Sequence, residues 1–318
     1  MVPCSANTMT DRHVLGDWGT TRLRLFLVEG GKPAASCEGP GIGALREPPA
    51  DVLARHLRPW SEEEQHLPVV LCGMAGSRNG LAEAPYAATP IDCATWARAA
   101  TRLRIGTLDI AIACGLRDDT RPGAPDVMRG EETQIFGALR ETPALTTGSH
   151  VFVLPGTHSK WAEVDGGFIV RFRTALTGEL FALLRDHSML LRAGDQARGS
   201  DDDEKAGFET GLERSTQTRQ GLLSALFEAR TAQLLQQRSA AWARGFLSGL
   251  LIDQEISGMI EAYPGIRSVQ LVASGHLATL YRRAFERRAI PFRFIDADAC
   301  ALSGLHLIHA AVHQESSP

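Results

Sequence analysis

The stretch VLGDWGTTRLRLFLVEGG, residues 14–31, starts with a short apolar run and breaks at the polar turn Asp17–Thr21. It resumes with Leu23, Leu25 and Leu27 alternating with Arg22, Arg24 and Phe26. A period of two marks a strand with one face buried, and the pair Gly30–Gly31 turns the chain into a third extended run. A strand feeding a hairpin, not a helix, therefore opens the chain. Residues 152–170, FVLPGTHSKWAEVDGGFIV, repeat the plan: apolar strand, Gly/Thr turn, strand, Gly-Gly turn, strand. The repeat predicts internal duplication, and at ~150 residues per domain the 318 residues have room for two domains.

Outward from the first copy, residues 51–60 read as a short helix and LPVVLCGM (67–74) as a strand buried on both faces. GMAGSRNGLAEAPYAATP (73–90) reads as a loop too long to be a mere connection. A strand at 108–113 and a helix from about Glu131 to Arg140 follow. Beyond the second copy, a helix over 178–191 places Leu180, Leu183, Leu184 and Leu191 on one side. RGSDDDEKAG (198–207) reads as a charged exposed loop, and helices fill 218–262. Then come a strand at Val269–Ala273, a helix to Arg288, a strand at Phe292–Ile295 and a helix from Ala299 to His313. The small residues of that last helix (Ala301, Ser303, Gly304, Ala310, Ala311) permit close crossing by another helix, with QIFGAL (134–139) as the candidate partner.

Composition excludes several classes. A net charge of −4 with 22% charged residues gives no basic face for nucleic acid or an acidic membrane. No apolar run approaches the ~18 residues of a membrane span. MVPCSANTMTDR has neither the basic nor the apolar region of a secretory signal. The six cysteines (Cys4, Cys37, Cys72, Cys93, Cys114, Cys300) form no C-x-x-C pair and read as reduced thiols, so the expectation is a cytoplasmic protein.

No P-loop, G-x-S-x-G elbow or H-E-x-x-H motif occurs, and GPGIGALR (39–46) lacks the last glycine of a dinucleotide fingerprint. The two hairpin turns are better phosphate ligands. Gly19, Thr20 and Thr21 offer backbone N–H groups and hydroxyls, and Asp17 is placed to hold Mg²⁺ through water. Gly156, Thr157, His158, Ser159 and Lys160 make a matching donor cluster, with Lys160 adding a cation. Ordinary hairpin turns use the same residue types; the pairing singles these out. In LVASGHLATLYRRAF (271–285), Ser274–Gly275 sits between strand and helix, where glycine lets a flat ring approach the backbone. Ser274 as a plain helix cap is the alternative.

Phosphate turn, connecting helix, second phosphate turn, adenosine turn and connecting helix, in this order, resemble the sugar-kinase, actin and heat-shock-chaperone ATPase superfamily. More closely, DWGTTRLR, LCGMAGSRNGLAEAPY, PDVMRGEETQIFGAL, LPGTHSKWAEVDGG and TALTGELFALL resemble the 2-keto-3-deoxy-galactonokinase (2-dehydro-3-deoxygalactonokinase) family, over about Leu15 to Ala311. The resemblance implies an α/β fold of two ribonuclease H-like (actin-like ATPase) domains with an interdomain nucleotide cleft. The expected division is 10–143 plus 299–318, sugar-binding, and 144–298, nucleotide-binding. It further implies ATP- and Mg²⁺-dependent phosphorylation of 2-dehydro-3-deoxy-D-galactonate at its 6-hydroxyl, in galactonate breakdown. The partners are then the sugar acid and ATP, with no nucleic acid or membrane; a homodimer is allowed but not required.

A keto acid sugar needs a cation for its carboxylate and donors for its hydroxyls. Arg78 and Arg129 offer planar bidentate forks, and Gly73, Met74, Ala75, Gly76 and Ser77 supply N–H and hydroxyl donors from a strand's end. Thr177, Gly178 and Glu179 cap a helix or touch substrate. Phosphoryl transfer also needs a carboxylate to take the hydroxyl proton. Asp126, Glu131 and Glu132 are the candidates, with Glu131 preferred at the start of the connecting helix; charge against the helix dipole is the alternative reading of both glutamates. A kinase for another keto-deoxy acid and a non-catalytic nucleotide- or sugar-sensing regulator are the rivals. No helix-turn-helix-sized segment precedes Val14, which argues against a DNA-binding regulator.

Overall fold

The computed structural model describes residues 12–61, 67–191, 199–217 and 221–314. The expected domain start at residue 10 and the first residue of the loop 198–207 lie outside them. The chain divides into two compact units: Met1–Ser149, Glu163–Phe172 and Asp296–Pro318, and His150–Ala162 with Arg173–Ile295.

In the first unit the alternating leucines form the hairpin expected of them. Strands β1 (Arg12–Trp18), β2 (Arg22–Glu29) and β3 (Lys32–Pro40) run antiparallel, with Val14 opposite Leu27 and Asp17 opposite Arg24. After helix α1 (Pro49–Leu57), β4 (Leu67–Gly73) returns parallel to β1, setting Cys72 beside Asp17 and Gly73 beside Trp18. The 73–90 stretch is not all loop: a 3-10 turn at Met74–Gly76 leads to the short strand β5 (Tyr86–Ala88). Helix α2 (Cys93–Arg98), β6 (Thr101–Ile105) and β7 (Leu108–Ile112) follow, and the sheet order is β3-β2-β1-β4-β7-β6. Strands β8 (Gly115–Asp118) and β9 (Asp126–Met128) join β5 in a small sheet that delivers the chain to α3 (Glu131–Glu141). Val14, Trp18, Leu25, Val69 and Leu71 anchor the core.

The second sheet repeats the first. Strands β10 (Ser149–Leu154), β11 (Ser159–Asp165) and β12 (Phe168–Ala175) precede helices α4 (Thr177–His187), α5 (Asp201–Gln217), α6 (Leu222–Gln236) and α7 (Ala240–Ala262). Then come β13 (Val269–Ala273), parallel to β10, α8 (Gly275–Arg287), β14 (Phe292–Asp296) and α9 (Ala297–Gln314). The order β12-β11-β10-β13-β14 matches β3-β2-β1-β4-β7: third strand, second, first, then the strands that return by crossover. Two ribonuclease H-like units follow from one duplicated plan, as the paired hairpins predict.

Two glycine contacts explain how helices pack. A Cβ on Gly137 of α3 would lie 1.9 Å from the Cys300 carbonyl oxygen of α9, and one on Gly304 would lie 2.0 Å from the Thr133 carbonyl oxygen. The expected crossing of QIFGAL with the small-residue helix is therefore backbone on backbone. The same device corrects the reading of 198–207 as a loop, since the chain is helical from Asp201. Four acids in its first turn complement the helix dipole. Gly207 and Gly211 face α7, where a Cβ would stand 2.0 and 2.2 Å from the carbonyls of Trp242 and Phe246. Leu183 also departs from expectation: it is 47% exposed, while Leu180, Leu184 and Leu191 pack against the α6–α7 cluster.

Candidate active site

The first unit gathers its candidate residues at the carboxyl ends of β1 and β4. The turn after β1 is braced: Gly19 N–H donates to the Arg22 carbonyl at 2.8 Å, and Ile42 and Gly43 N–H groups donate to the carbonyls of Gly19 and Thr20. A Cβ on Gly41 would lie 2.4 Å from the Thr20 carbonyl. The glycines of GPGIG thus serve as the seat of this turn. Thr20 and Thr21 remain exposed. Asp17 is engaged by a group the sequence reading passed over: Arg24 Nη2 donates to Asp17 Oδ2 at 2.7 Å while its Nη1 bonds Asp298, and the Cys72 thiol approaches Asp17 Oδ1 at 3.7 Å. The signal that could have found it is the spacing of Asp17 and Arg24, which face each other across the hairpin.

Gly73 has φ +75° and Gly130 φ +113°, and a Cβ on Gly130 would be 3.2 Å from Gly73 Cα. Two glycines in conformations that side chains rarely adopt therefore let the start of α3 press against the end of β4. Here the three candidate carboxylates separate. Glu132 is fully buried, both oxygens 2.8 Å from the Gly130 nitrogen; burial first, then the charge of Glu131, pushes its pKa up to about 7. Glu131, the first residue of α3, is half-buried and accepts the Arg129 N–H at 3.1 Å. Asp126 lies on β9, accepting its neighbour's Val127 N–H at 2.8 Å and lying 3.8 Å from Arg121. The structure thus does not bring Asp126 to the helix start with the other two.

The two candidate arginines also part. Arg78 has an 86% exposed side chain whose nearest acid is Glu83 at 3.9 Å. Arg129 is held in place: its Nη2 donates to the Ala84 carbonyl at 2.7 Å, its Nε bonds the Tyr86 hydroxyl, and its guanidinium lies 4.2 Å over the Tyr86 ring. Its Nη1 approaches Gly76 so closely that a Cβ there would be 2.8 Å away. That Nη1 and the Ser77 hydroxyl are buried with no hydrogen-bond partner among the described residues. Two polar groups with bonding capacity left over thus lie near the end of β4.

In the second unit the turn after β10 meets the start of α4. Glu179 N–H donates to the Thr157 carbonyl at 2.9 Å, His158 bonds Glu179, and a Cβ on Gly178 would be 2.3 Å from the Gly156 carbonyl. Thr157 and His158 are exposed, but Ser159 and Lys160 are not. The Ser159 hydroxyl lies 3.0 Å from that of Tyr281, and Lys160 Nζ donates to the Thr174 hydroxyl at 2.8 Å. Both side chains are buried and bonded within the second unit in this structure. Ser274 takes the N-cap position of α8 without a side-chain cap bond, and Gly275 has φ +58°; both are exposed. A cavity of about 250 Å³ lies beside the starts of α4 and α8, lined by Gly156, Thr177, Gly178, His276, Leu280 and Tyr281 among others. Glu204 and Arg244, an ion pair at 2.9 Å that the sequence reading missed, line it too.

Comparison with known proteins identifies the family. The family model for 2-keto-3-deoxy-galactonokinase matches residues 17–308. The 2-dehydro-3-deoxygalactonokinase of Escherichia coli (strain K12) is 35% identical over 306 residues, covering 96% of this chain and 99% of its own. A Sinorhizobium meliloti crystal structure under the same kinase name is 38% identical, with a TM-score of 0.83 over 94% of this chain and 96% of that one. The activator of the 2-hydroxyisocaproyl-CoA dehydratase from Clostridium difficile shares the fold alone, at 12% identity and a TM-score of 0.52 over 96% of this chain and 98% of its own. A match that runs from the carboxylate ending β1 to Ile308 in the last helix takes in both hairpin turns and the start of α3, and the chain is a member of the 2-keto-3-deoxy-galactonokinase family.

Proposed function

We propose that this chain transfers the γ-phosphoryl group of ATP to the 6-hydroxyl of 2-dehydro-3-deoxy-D-galactonate, as a cytoplasmic enzyme of galactonate breakdown. The family match over residues 17–308 carries the reading. The nucleotide belongs in the cavity beside Gly156, Thr177 and Gly178, with Thr157 and His158 toward its phosphates and its base against α8 near Ser274 and Gly275. The Asp17–Thr21 turn is the first unit's own set of phosphate donors. The acid's carboxylate belongs at Arg129 Nη1 and Ser77 Oγ, the buried groups with bonding capacity left over. Glu131 takes the proton of the attacking hydroxyl: it starts α3 and keeps exposure that Glu132 lacks.

Mg²⁺ fits only as a companion of the nucleotide. Among the described residues no group of three or more His, Cys, Asp or Glu is arranged to hold a metal ion, and Asp17 already binds Arg24. Mg²⁺ keeps several waters and takes phosphate oxygens with one or two carboxylates, so Asp17 would meet it through water. There it would neutralise charge building on the transferred group.

An ADP-release screen over keto-deoxy sugar acids tests the reading. Turnover with 2-dehydro-3-deoxy-D-galactonate well above its epimers is expected. Faster turnover of 2-dehydro-3-deoxygluconate would move the substrate assignment, and nucleotide binding without turnover of any acid would favour a sensor.

A further inference from the structure

Behind the cavity of the second unit lies a carboxylate that the scheme above leaves unused. Glu255 of α7 is 7% exposed. Its Oε1 accepts Trp161 Nε1–H at 2.8 Å, and its Oε2 accepts the Tyr281 hydroxyl at 2.7 Å and the Thr177 hydroxyl. The Ser159 hydroxyl, 3.0 Å from that of Tyr281, closes the shell. Every one of these donors is neutral. Burial therefore raises the pKa of Glu255 despite the hydrogen bonds that oppose it. Each of these partners lost would leave a buried polar group unsatisfied.

The partners fall into two groups. Trp161 and Tyr281 are both fully buried in one core cluster, but only Tyr281 and Thr177 line the cavity. Thr177 is also the first residue of α4, a helix with no fully buried side chain. Its Leu180 and Leu184 pack against the α6–α7 cluster, and polar fixings set its first turn. At its amino end these are the Thr177–Glu255 bond, the Glu179–Thr157 backbone bond and the contact of Gly178 with Gly156.

We propose that Glu255 is a positioning residue for the nucleotide: through the Thr177 hydroxyl it fixes the first turn of α4 against Gly156–Thr157 and so shapes the cavity wall that meets the phosphates. The inference rests on the nucleotide reading of that cavity. A carboxylate that merely knits the core together would serve all its partners alike, and this difference is measurable.

The test is calorimetric binding of ADP to the full chain and its variants, with thermal unfolding alongside. Glu255→Gln and Thr177→Val are each expected to weaken ADP binding ~10-fold, the scale of one misplaced hydrogen bond, and Thr177→Ser to stay within ~2-fold of the unaltered chain. The double variant Thr177→Val/Glu255→Gln should bind no more than ~2-fold worse than either single one, because both break one link. Trp161→Phe removes a donor to the same carboxylate away from the cavity, so it should lower Tm yet leave ADP affinity within ~2-fold. Equal weakening by Trp161→Phe would make Glu255 a core fastener and overturn the proposal. Unchanged affinity in Thr177→Val, or a double variant weakened ~100-fold by independent effects, would do the same. Failure of the unaltered chain to bind ADP would instead overturn the nucleotide reading, and the inference with it.

Discussion

Glu132→Gln separates a buried carboxyl from its proton in a way that unfolding experiments can follow. In the folded chain Glu132 titrates at about 7, against 4.5 for the free group, with burial the main cause and the Glu131 charge the next. Between those values the folded chain holds a proton that the unfolded chain has released. The stability it contributes is complete below about pH 4.5 and is lost as pH rises through about 7. At ~1.4 kcal/mol per unit, a displacement of about 2.5 units amounts to about 3 kcal/mol. Glutamine is neutral throughout and loses nothing over that range. Urea unfolding of both proteins from pH 5 to pH 8 should therefore show the variant gaining about 2–3 kcal/mol on the parent. Parallel pH profiles would mean that Glu132 ionises normally inside the fold, and the buried-carboxyl account of the α3 start would fail.

Other perturbations address other parts of the account. Asp17→Asn and Glu131→Gln should each cut kcat ~10²-fold or more in the ADP-release assay, the scale of losing a positioned acid–base or charge-stabilising group; full activity in Glu131→Gln would pass the base role to Glu132 or Asp126. Arg129→Met should raise KM for the sugar acid ~10-fold or more while ADP affinity stays put, whereas Arg78→Ala should leave KM within ~2-fold. Gly137→Ala and Gly304→Ala drive a methyl group into a facing backbone and should cost ~1–3 kcal/mol or more by urea unfolding. Gly258→Ala, in α7 with nothing within 4 Å of the added carbon, should stabilise by ~0.5–1 kcal/mol; a loss there would contradict the packing described.

What could be read from the sequence was what local chemistry dictates. The hairpins at 14–31 and 152–170 announce themselves through alternation and paired glycines, and the small residues of α9 announce a close crossing that Gly137 and Gly304 provide. What could not be read depends on distant partners. The acid run before Gly207 reads as an exposed loop, because nothing local says that α7 will lie against Gly207 and Gly211. Lys160 reads as a phosphate cation because it closes a Gly/Thr turn rich in donors, yet Ser159 and Lys160, consecutive on β11, are both buried. Arg129 gains its fixed orientation from Tyr86 and Ala84, more than 40 residues earlier, and Glu255 hides in a long apolar helix whose polar partners come from three other elements. The GPGIG glycines resembled a weak nucleotide motif but brace the first turn.

The most direct measurement is a crystal structure of the chain with a non-hydrolysable ATP analogue and 2-dehydro-3-deoxy-D-galactonate together. It should place phosphate oxygens at Thr157 and His158, the acid's carboxylate on Arg129 Nη1 and Ser77 Oγ, and the 6-hydroxyl within hydrogen-bond reach of Glu131. A sugar acid seated away from Arg129, or a nucleotide outside the cavity edged by Gly156 and Thr177, would contradict the proposed phosphoryl transfer and the residue roles built on it.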